Sequence, residues 1–269
     1  MSDEAPAYLV EQEGGVLTLT FNRPDYGNAI PLTAVAPMTE LFRAAQADPA
    51  VRCILIAGKG KHFSTGGDLN AFSRDIAQGT VHLRESFAGR LEALAGLIEA
   101  VAAFDRPIVA AVRGGVAGAG LLYALIADIV IGDETAFFLF SHQRVGLSPD
   151  GAVSYLLPRV VGLRQATRLI FTAAKVDAEE ARQIGLLTSI VSAESLEAES
   201  AKTAARFAKS PQRAIKLAKG LLGTSLASSL TDQLRAEKNG IVECVQDPDF
   251  AEGVNSFIEK RPVRFPSTL

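Results

Sequence analysis

The sequence predicts an α/β protein, with an α/β core to about residue 200 and a helical region over 201–269. Three observations carry this expectation. Twice, a short apolar run feeds a glycine-rich loop that opens a helical stretch. Beyond Gly151 one helical pattern follows another. The balance of 48% hydrophobic to 21% charged residues is that of a chain able to bury a core.

Taken in order, Val16 to Phe21 alternates Leu17, Leu19 and Phe21 with Thr18 and Thr20, the period of two of a half-buried strand. From Thr33 to Ala47, Met38, Leu41, Phe42 and Ala45 recur at helical spacing, and Asp48-Pro49 stops the helix. Cys53 to Ala57 is continuously apolar, as a strand buried on both faces must be. A loop from Gly58 to Gly67 and a helix from Asp68 follow. The pattern then repeats: a helix over Leu91 to Phe104, a strand over Ile108 to Val112, small residues over Gly114 to Gly120, and an apolar helix through Ala127. Ile129 to Ile131 and Ala136 to Phe140 read as short strands. Further helices span Arg164 to Thr172, a stretch begun by Asp177 with Glu180 three residues on, Glu194 to Lys209, Pro211 to Leu222 and Leu226 to Val245. Gly220, Gly223 and Asp247-Pro248 punctuate the last of these, and no low-complexity linker separates core from tail.

Twenty-seven basic against thirty acidic residues leave a net charge of −3, which predicts no attraction to nucleic acid or to an anionic membrane. Two cysteines, Cys53 and Cys244, offer neither a disulfide framework nor a CxxC site. The histidines His62, His82 and His142 lack any metal-ligand spacing, so no metal is expected. His62 and His82 read as surface residues of a loop and a helix, and His142, just after Phe137 to Phe140, as lining a pocket. Met1-Ser2-Asp3-Glu4 is acidic where a secretory or transit peptide is basic, so a cytoplasmic location is expected. The longest uncharged window, Gly114 to Ala127, falls short of the ~18 to 20 residues a membrane helix needs.

A glycine-rich loop opening a helix presents backbone N–H groups, because the first helical turn leaves its donors unpaired. Neither loop has the GxGxxG spacing, and no GxxxxGK[ST] occurs. Singly, the loops are explained by tight turns and close packing. As a pair they supply two N–H donors to one developing oxyanion. Gly146-Leu-Ser148-Pro-Asp150 begins like a nucleophile elbow but ends in Asp, with a proline where the helix must start. Asp150 has two readings. Its small, apolar neighbours would raise the pKa of a general base by desolvation, or it caps the helix after Gly151.

Several ordered motifs resemble the crotonase superfamily, the enoyl-CoA hydratase/isomerase group, over nearly the whole chain. They are Phe21-Asn-Arg-Pro with Asn28-Ala29; His62-Phe-Ser-Thr-Gly-Gly-Asp68; and Arg106 to Gly120 with Ala127-Asp128. They continue with Val145-Gly-Leu-Ser-Pro-Asp150, Leu157-Pro-Arg-Val-Val-Gly162, Ala178 to Leu187 and Phe257 to Phe265. The resemblance implies a spiral of ββα repeats, a helical trimerisation region giving a homotrimer or dimer of trimers, and an acyl-CoA substrate. It implies no cofactor beyond the coenzyme A of that substrate. The two oxyanion donors fall on Gly67 and Ala119; the family usually has glycine at the second, and a methyl there keeps the N–H but narrows the pocket. Substrate and coenzyme A contacts fall on Arg23 and Asn28, on Ser64, Gly66, Asp68 and Leu69, and on a tail with Phe257, Lys260 and Arg261. A lysine common after the first loop's aspartate is Asn70 here.

Leu122 and His142 stand where hydratases carry two glutamates, so hydration is not expected, and both are assigned to the acyl site. The dehalogenase branch has an aspartate matching Asp150 but also a tryptophan and a histidine; this chain has no tryptophan, and Ala95 stands at the histidine position. The isomerase branch, with a single aspartate in a Pro-Asp setting followed by Leu-Pro-Arg, is most similar. The expectation is an acyl-CoA isomerase that shifts a double bond, of the 3-enoyl to 2-enoyl type or on a ring-bearing acyl group. Asp150 is its base. Other crotonase chemistry, such as hydration-like steps or thioester or C–C hydrolysis, and a non-catalytic acyl-CoA-binding protein, are the alternatives.

Overall fold

In the computed structural model, which describes residues 5–67 and 69–268, β1 (Tyr8–Glu13) and β2 (Val16–Phe21) form an antiparallel hairpin. Gly14 and Gly15 both take positive φ at its turn, the conformation that suits the strand twist. β1 was not legible as a strand. It is an outer strand ending in Glu11-Gln12-Glu13 and largely exposed, so it lacks the alternating apolar face by which β2 shows itself. Leu17, Leu19 and Phe21 of β2 are buried as the period of two requires.

β2, β3 (Cys53–Gly58), β4 (Ile108–Val112), β6 (Ile129–Asp133) and β9 (Ser189–Val191) then run parallel in one six-stranded sheet with β1 at its edge. Alternate residues of β3 and β4 serve two cores, which explains their unbroken apolar sequence. Ile54, Ile56, Ile108, Ala110 and Val112 pack into the main core with α1 (Leu32–Ala47), α3 (Thr80–Ala102) and α4 (Gly120–Ile126). Cys53, Leu55, Val109 and Ala111 face the opposite way onto Leu196, Ala204 and Ala208 of α8 (Leu196–Ala208). Burial, together with the nearby Asp128 carboxylate and despite Lys219, pushes the Cys53 thiol up to about 12, as suits an inert core residue.

The second sheet is small: β5 (Gly115–Ala117), β7 (Phe137–Leu139) and β8 (Lys175–Asp177). Its existence makes the repeat visible. A strand of the large sheet is followed by a short strand of the second layer and then a helix: β4, β5, α4; and β6, β7, α5 (Val153–Val161). The first unit is abbreviated, with β3 followed by a single bridge from Ser64 to Val116 and then α2 (Leu69–Ala77).

α3 begins at Thr80, eleven residues before the apolar period that announced it at Leu91. Its first half lies outside the main core and is held to α2 by a Phe72–Phe87 ring contact and by polar contacts: Asp75 accepts from Arg90 at 2.6 Å and from Ser86 at 2.7 Å. The Ser86 hydroxyl, then Arg90 and His82, hold the Asp75 carboxyl below the usual range against the effect of burial.

After α5 come α6 (Leu163–Thr172) and α7 (Ala178–Gln183), the latter capped by Asp177, whose carboxylate accepts the Glu180 N–H at 2.9 Å. The C-terminal part is α9 (Gln212–Thr224), α10 (Leu230–Cys244) and α11 (Pro248–Glu259). Lys219 of α9 ties it to the core, donating to Asp128 at 2.8 Å and to the Arg106 carbonyl at 2.9 Å. Among the described residues no helix is long and apolar enough to cross a membrane.

Arg106, whose carbonyl Lys219 reaches, is itself a buried charge that closes the end of α1. Its guanidinium donates to the carbonyls of Ala45, Gln46 and Asp48 at 2.6–2.8 Å and to that of Val51, satisfying the carbonyls left unpaired where α1 ends. Its plane stacks over Phe104 at 4.6 Å. Arg106→Met keeps the stem but strands several buried carbonyls; the expected cost is about 2–4 kcal/mol of folding stability. A urea midpoint unchanged by this substitution contradicts that role.

Candidate active site

The two glycine-rich loops run side by side before they part. The Phe63 N–H donates to the Arg113 carbonyl at 2.8 Å, Ser64 to Gly115 at 3.2 Å, and Ala117 back to Ser64 at 2.9 Å. They touch at Gly66, with φ +109°, and Gly118, with φ +49°. A Cβ on Gly118 would lie 2.7 Å from the Gly66 Cα, so a side chain there drives the loops apart. The next residues on each loop are Gly67 and Ala119. Ala119 immediately precedes α4, and neither its N–H nor that of Gly67 donates to another backbone or side-chain group among the described residues. Each of the two touching loops thus carries an N–H without a protein partner among the described residues.

Asn28 braces this arrangement. Buried to 2% exposure and held at φ +56°, it accepts the Arg23 N–H on Oδ1 at 2.8 Å. Through Nδ2 it donates to the Lys59 carbonyl at 3.0 Å and to that of His62 at 2.6 Å. Its carbonyl accepts from the Ser64 hydroxyl at 2.9 Å. The Gly66 carbonyl accepts the Ile30 N–H at 3.1 Å. Asn28, Ser64 and Gly66, expected to touch substrate, are thus occupied in holding the loops. His62 is more than the surface residue its loop suggested: Nδ1 accepts the Gly115 N–H at 2.9 Å, and burial, then Lys61, holds the imidazole below its usual pKa. Arg23 donates to the Ala29 carbonyl at 3.1 Å and lies 4.6 Å over the Tyr26 ring. Asp68 lies outside the described residues, and Leu69 opens α2.

Gly67, Ala119 and Asp150 line one cavity of about 320 Å³. Its apolar wall includes Ile30, Phe72, Phe87, Leu94 and Tyr123, with Arg90 beside Phe72. Sequence reasoning missed these residues because Leu91, Leu94 and Leu97 carry the same helical period whether they face a core or a cavity. Asp150 caps no helix. α5 starts at Val153 after Ala152, and Gly151 and Ala152 both take positive φ, so the chain reverses between the aspartate and the helix. The dry setting inferred from its sequence neighbours is also corrected: the Asp150 side chain is 45% exposed, because Val145 and Leu147 point outward as well.

Asp150 Oδ1 lies 3.0 Å from His142 Nε2. The His142 side chain is 9% exposed, and its Nδ1 has no partner among the described residues. His142 was expected to line the pocket; it stands behind Asp150 and is not among the cavity-lining residues. Leu122, assigned to the acyl site, is 1% exposed and packs in the main core, while its neighbour Tyr123 reaches the cavity. Phe257 is 86% exposed on α11 and lines a separate apolar groove with Phe250, Val254 and Phe265. Lys260 follows α11 in a left-handed conformation. Within one chain neither joins the cavity. No cluster of potential metal ligands occurs among the described residues.

The family model for enoyl-CoA hydratase/isomerase matches residues 11–268. A probable enoyl-CoA hydratase of Rhodobacter capsulatus is 33% identical over 251 residues, covering 93% of this chain and 94% of that protein. The 1,2-epoxyphenylacetyl-CoA isomerase of Escherichia coli is 32% identical over 257 residues, covering 96% and 97%. A crystal structure of a putative enoyl-CoA hydratase from Streptomyces coelicolor superposes with a TM-score of 0.91 at 32% identity, covering 99% of this chain and 96% of that one.

Gly118→Ala places a methyl against the Gly66 backbone and forces alanine into the left-handed region. The expected loss is about 2–4 kcal/mol of stability, whereas a glycine-to-alanine change at an exposed helical position costs nothing or stabilises. Thermal unfolding of this variant beside Gly220→Ala, where nothing lies within 4 Å of the added Cβ, checks the comparison.

Proposed function

The chain belongs to the enoyl-CoA hydratase/isomerase family of the crotonase superfamily, enzymes of acyl-CoA chemistry, and we propose that it is an acyl-CoA isomerase that moves a double bond along its substrate. One observation carries the reading. Asp150 shares a cavity with the unpaired N–H groups of Gly67 and Ala119, while Leu122 and His142 stand at the positions that the resemblance assigns to the two hydratase glutamates.

The chemistry asked of these groups is one proton moved between two carbons. With the thioester oxygen against the Gly67 and Ala119 N–H groups, Asp150 takes a proton from a carbon conjugated to the double bond, and the electron pair runs through the chain to that oxygen. The two donors hold the charge of the resulting dienolate. Asp150 returns the proton to a different carbon, the electron pair closes a new double bond, and the aspartate is a carboxylate again. An acyl chain filling the apolar cavity shields Asp150 from water, as proton transfer at carbon requires. Nothing here calls for a cofactor beyond the coenzyme A of the substrate.

Two further expectations accompany the reading. Arg23, Asp68, Leu69, Phe257 and Lys260 contact coenzyme A, and the tail residues join a site through assembly. The exposed apolar residues Leu222, Leu226, Leu230, Leu234 and Ile241 of the C-terminal helices are then covered in a homotrimer or dimer of trimers, working in the cytoplasm. Sedimentation equilibrium should return a multiple of three chains; a monomer at micromolar concentration contradicts the assembly.

The decisive experiment is Asp150→Asn, which preserves size and removes basicity. With 3-hexenoyl-CoA in heavy water, isomerisation and deuterium uptake should fall by about 10² or more, the span of general-base catalysis. Binding should stay within a few-fold. Near-wild-type turnover in this variant overturns the role of Asp150. The hydratase name of the Rhodobacter relative supports a second reading, and rapid hydration of crotonyl-CoA by the wild type would favour it.

A further inference from the structure

His142 sits in a single 3-10 turn, His142–Val145, pinned from two sides. Its carbonyl accepts the Leu147 N–H at 3.0 Å. Its neighbours tie the turn to α6 and the residue after it: Gln143 donates to the Phe171 carbonyl and Arg144 to that of Ala173, each at 2.6 Å. The imidazole is therefore carried on a fixed support, nine-tenths buried, with Nε2 on Asp150 Oδ1 and Nδ1 without a partner among the described residues.

The unpartnered nitrogen decides where the ring proton sits. A proton on Nδ1 would be a buried donor with no acceptor, whereas a proton on Nε2 has the Asp150 carboxylate in reach. The other Asp150 oxygen, Oδ2, has no hydrogen bond or ion pair among the described residues.

We infer that His142 is a positioning residue, donating its Nε2–H to Oδ1 so that Asp150 presents Oδ2 alone to the reacting carbons. This rests on the isomerase reading of Asp150 given above. The division of labour holds through the whole cycle. In the carboxylate, Oδ1 accepts from Nε2–H. Once Oδ2 has taken the substrate proton, Oδ1 is the carbonyl oxygen of a carboxylic acid and still accepts from it. The proton moves from carbon to Oδ2 and from Oδ2 to another carbon, and the histidine proton never leaves Nε2. An unheld carboxyl group rotates and exchanges its oxygens, which loses the alignment on which transfer between two carbons depends. Asp150 needs such a hold more than a buried acid does, because it is half exposed and follows no helix that would fix it.

The test has one arm that needs no substrate. The protein has three histidines, and His62, whose Nδ1 accepts a backbone N–H, provides an internal standard for an imidazole protonated on Nε2. Long-range nitrogen–proton NMR of the wild type should show His142 as the same tautomer, with a resonance that moves in Asp150→Asn. An Nδ1–H tautomer, or a signal indifferent to that substitution, overturns the inference.

The second arm is kinetic, on 3-hexenoyl-CoA. His142→Leu keeps apolar bulk and removes the donor; kcat should fall about 10- to 100-fold with KM within about 3-fold, the signature of lost orientation and not of lost binding. His142→Gln retains a donor near the Nε2 position and should recover most of kcat. A leucine variant with wild-type kcat, or a glutamine variant no better than leucine, refutes the positioning role. If the leucine variant does not fold, the glutamine variant and the wild-type spectrum still decide. A wild type inert toward 3-hexenoyl-CoA counts against the isomerase reading, while the spectrum separately decides the His142–Asp150 pair.

Discussion

At Gly66 and Gly118 two loops come so close that neither has room for a side chain, and the geometry of the site follows from that contact. It is made possible by main-chain pairing just before it, at Phe63, Ser64 and Ala117, and it is secured by Asn28, which reaches across to the Lys59 and His62 carbonyls. The large sheet supplies both loops from neighbouring parallel strands, β3 and β4, whose ends lie at the same level because residues 54 to 57 pair in register with 108 to 111. Two unpaired amides therefore meet without any strained residue at the donors themselves: Ala119 has an ordinary right-handed conformation. The strain is displaced onto the neighbouring glycines, where it costs little.

The opposite wall of the cavity follows a different logic. α2 and the first half of α3 are joined through the Asp75, Ser86 and Arg90 contacts, and Phe72 and Phe87 meet at 4.9 Å between ring centroids. Packing here is local to two helices and merges with the sheet core only from Leu94 and Leu97 onward. The site is thus built from a rigid half that comes from the sheet and a second half that is a separate small cluster.

This division also explains what was legible in the sequence. Strands β2, β3 and β4, the helices that cover them and the two glycine-rich loops declare themselves because burial on known faces leaves a periodic trace. β1 and the first half of α3 do not, since an exposed edge strand and a helix held by ion pairs carry no such period. The two glycine-rich loops were legible from the strand–loop–helix pattern and Asp150 from its small, apolar loop, while only the family resemblance assigned the donors to Gly67 and Ala119. The Asp150–His142 contact was not: eight residues apart, joined through a 3-10 turn that ends on a left-handed Gly146, they meet by a turn that no spacing rule describes. The bracing by Asn28 and Ser64 was not legible either, because a motif residue that braces a loop looks the same in sequence as one that binds a ligand.

The main-chain origin of the two donors has a consequence for how such a protein diversifies. An amide belongs to every amino acid except proline, so nearly any substitution at residue 119 that the fold tolerates leaves the carbonyl-activating half of the machinery in place. On the proposed reading, innovation is then confined to a few side chains of the cavity and their supports, here Asp150 with His142 behind it and the apolar wall of Phe72, Phe87 and Leu94. A lineage that loses one acid does not fall back to an inert scaffold. If the two amides act as proposed, it retains a surface that polarises a thioester, from which a single new proton donor or acceptor is enough to begin selecting a different reaction.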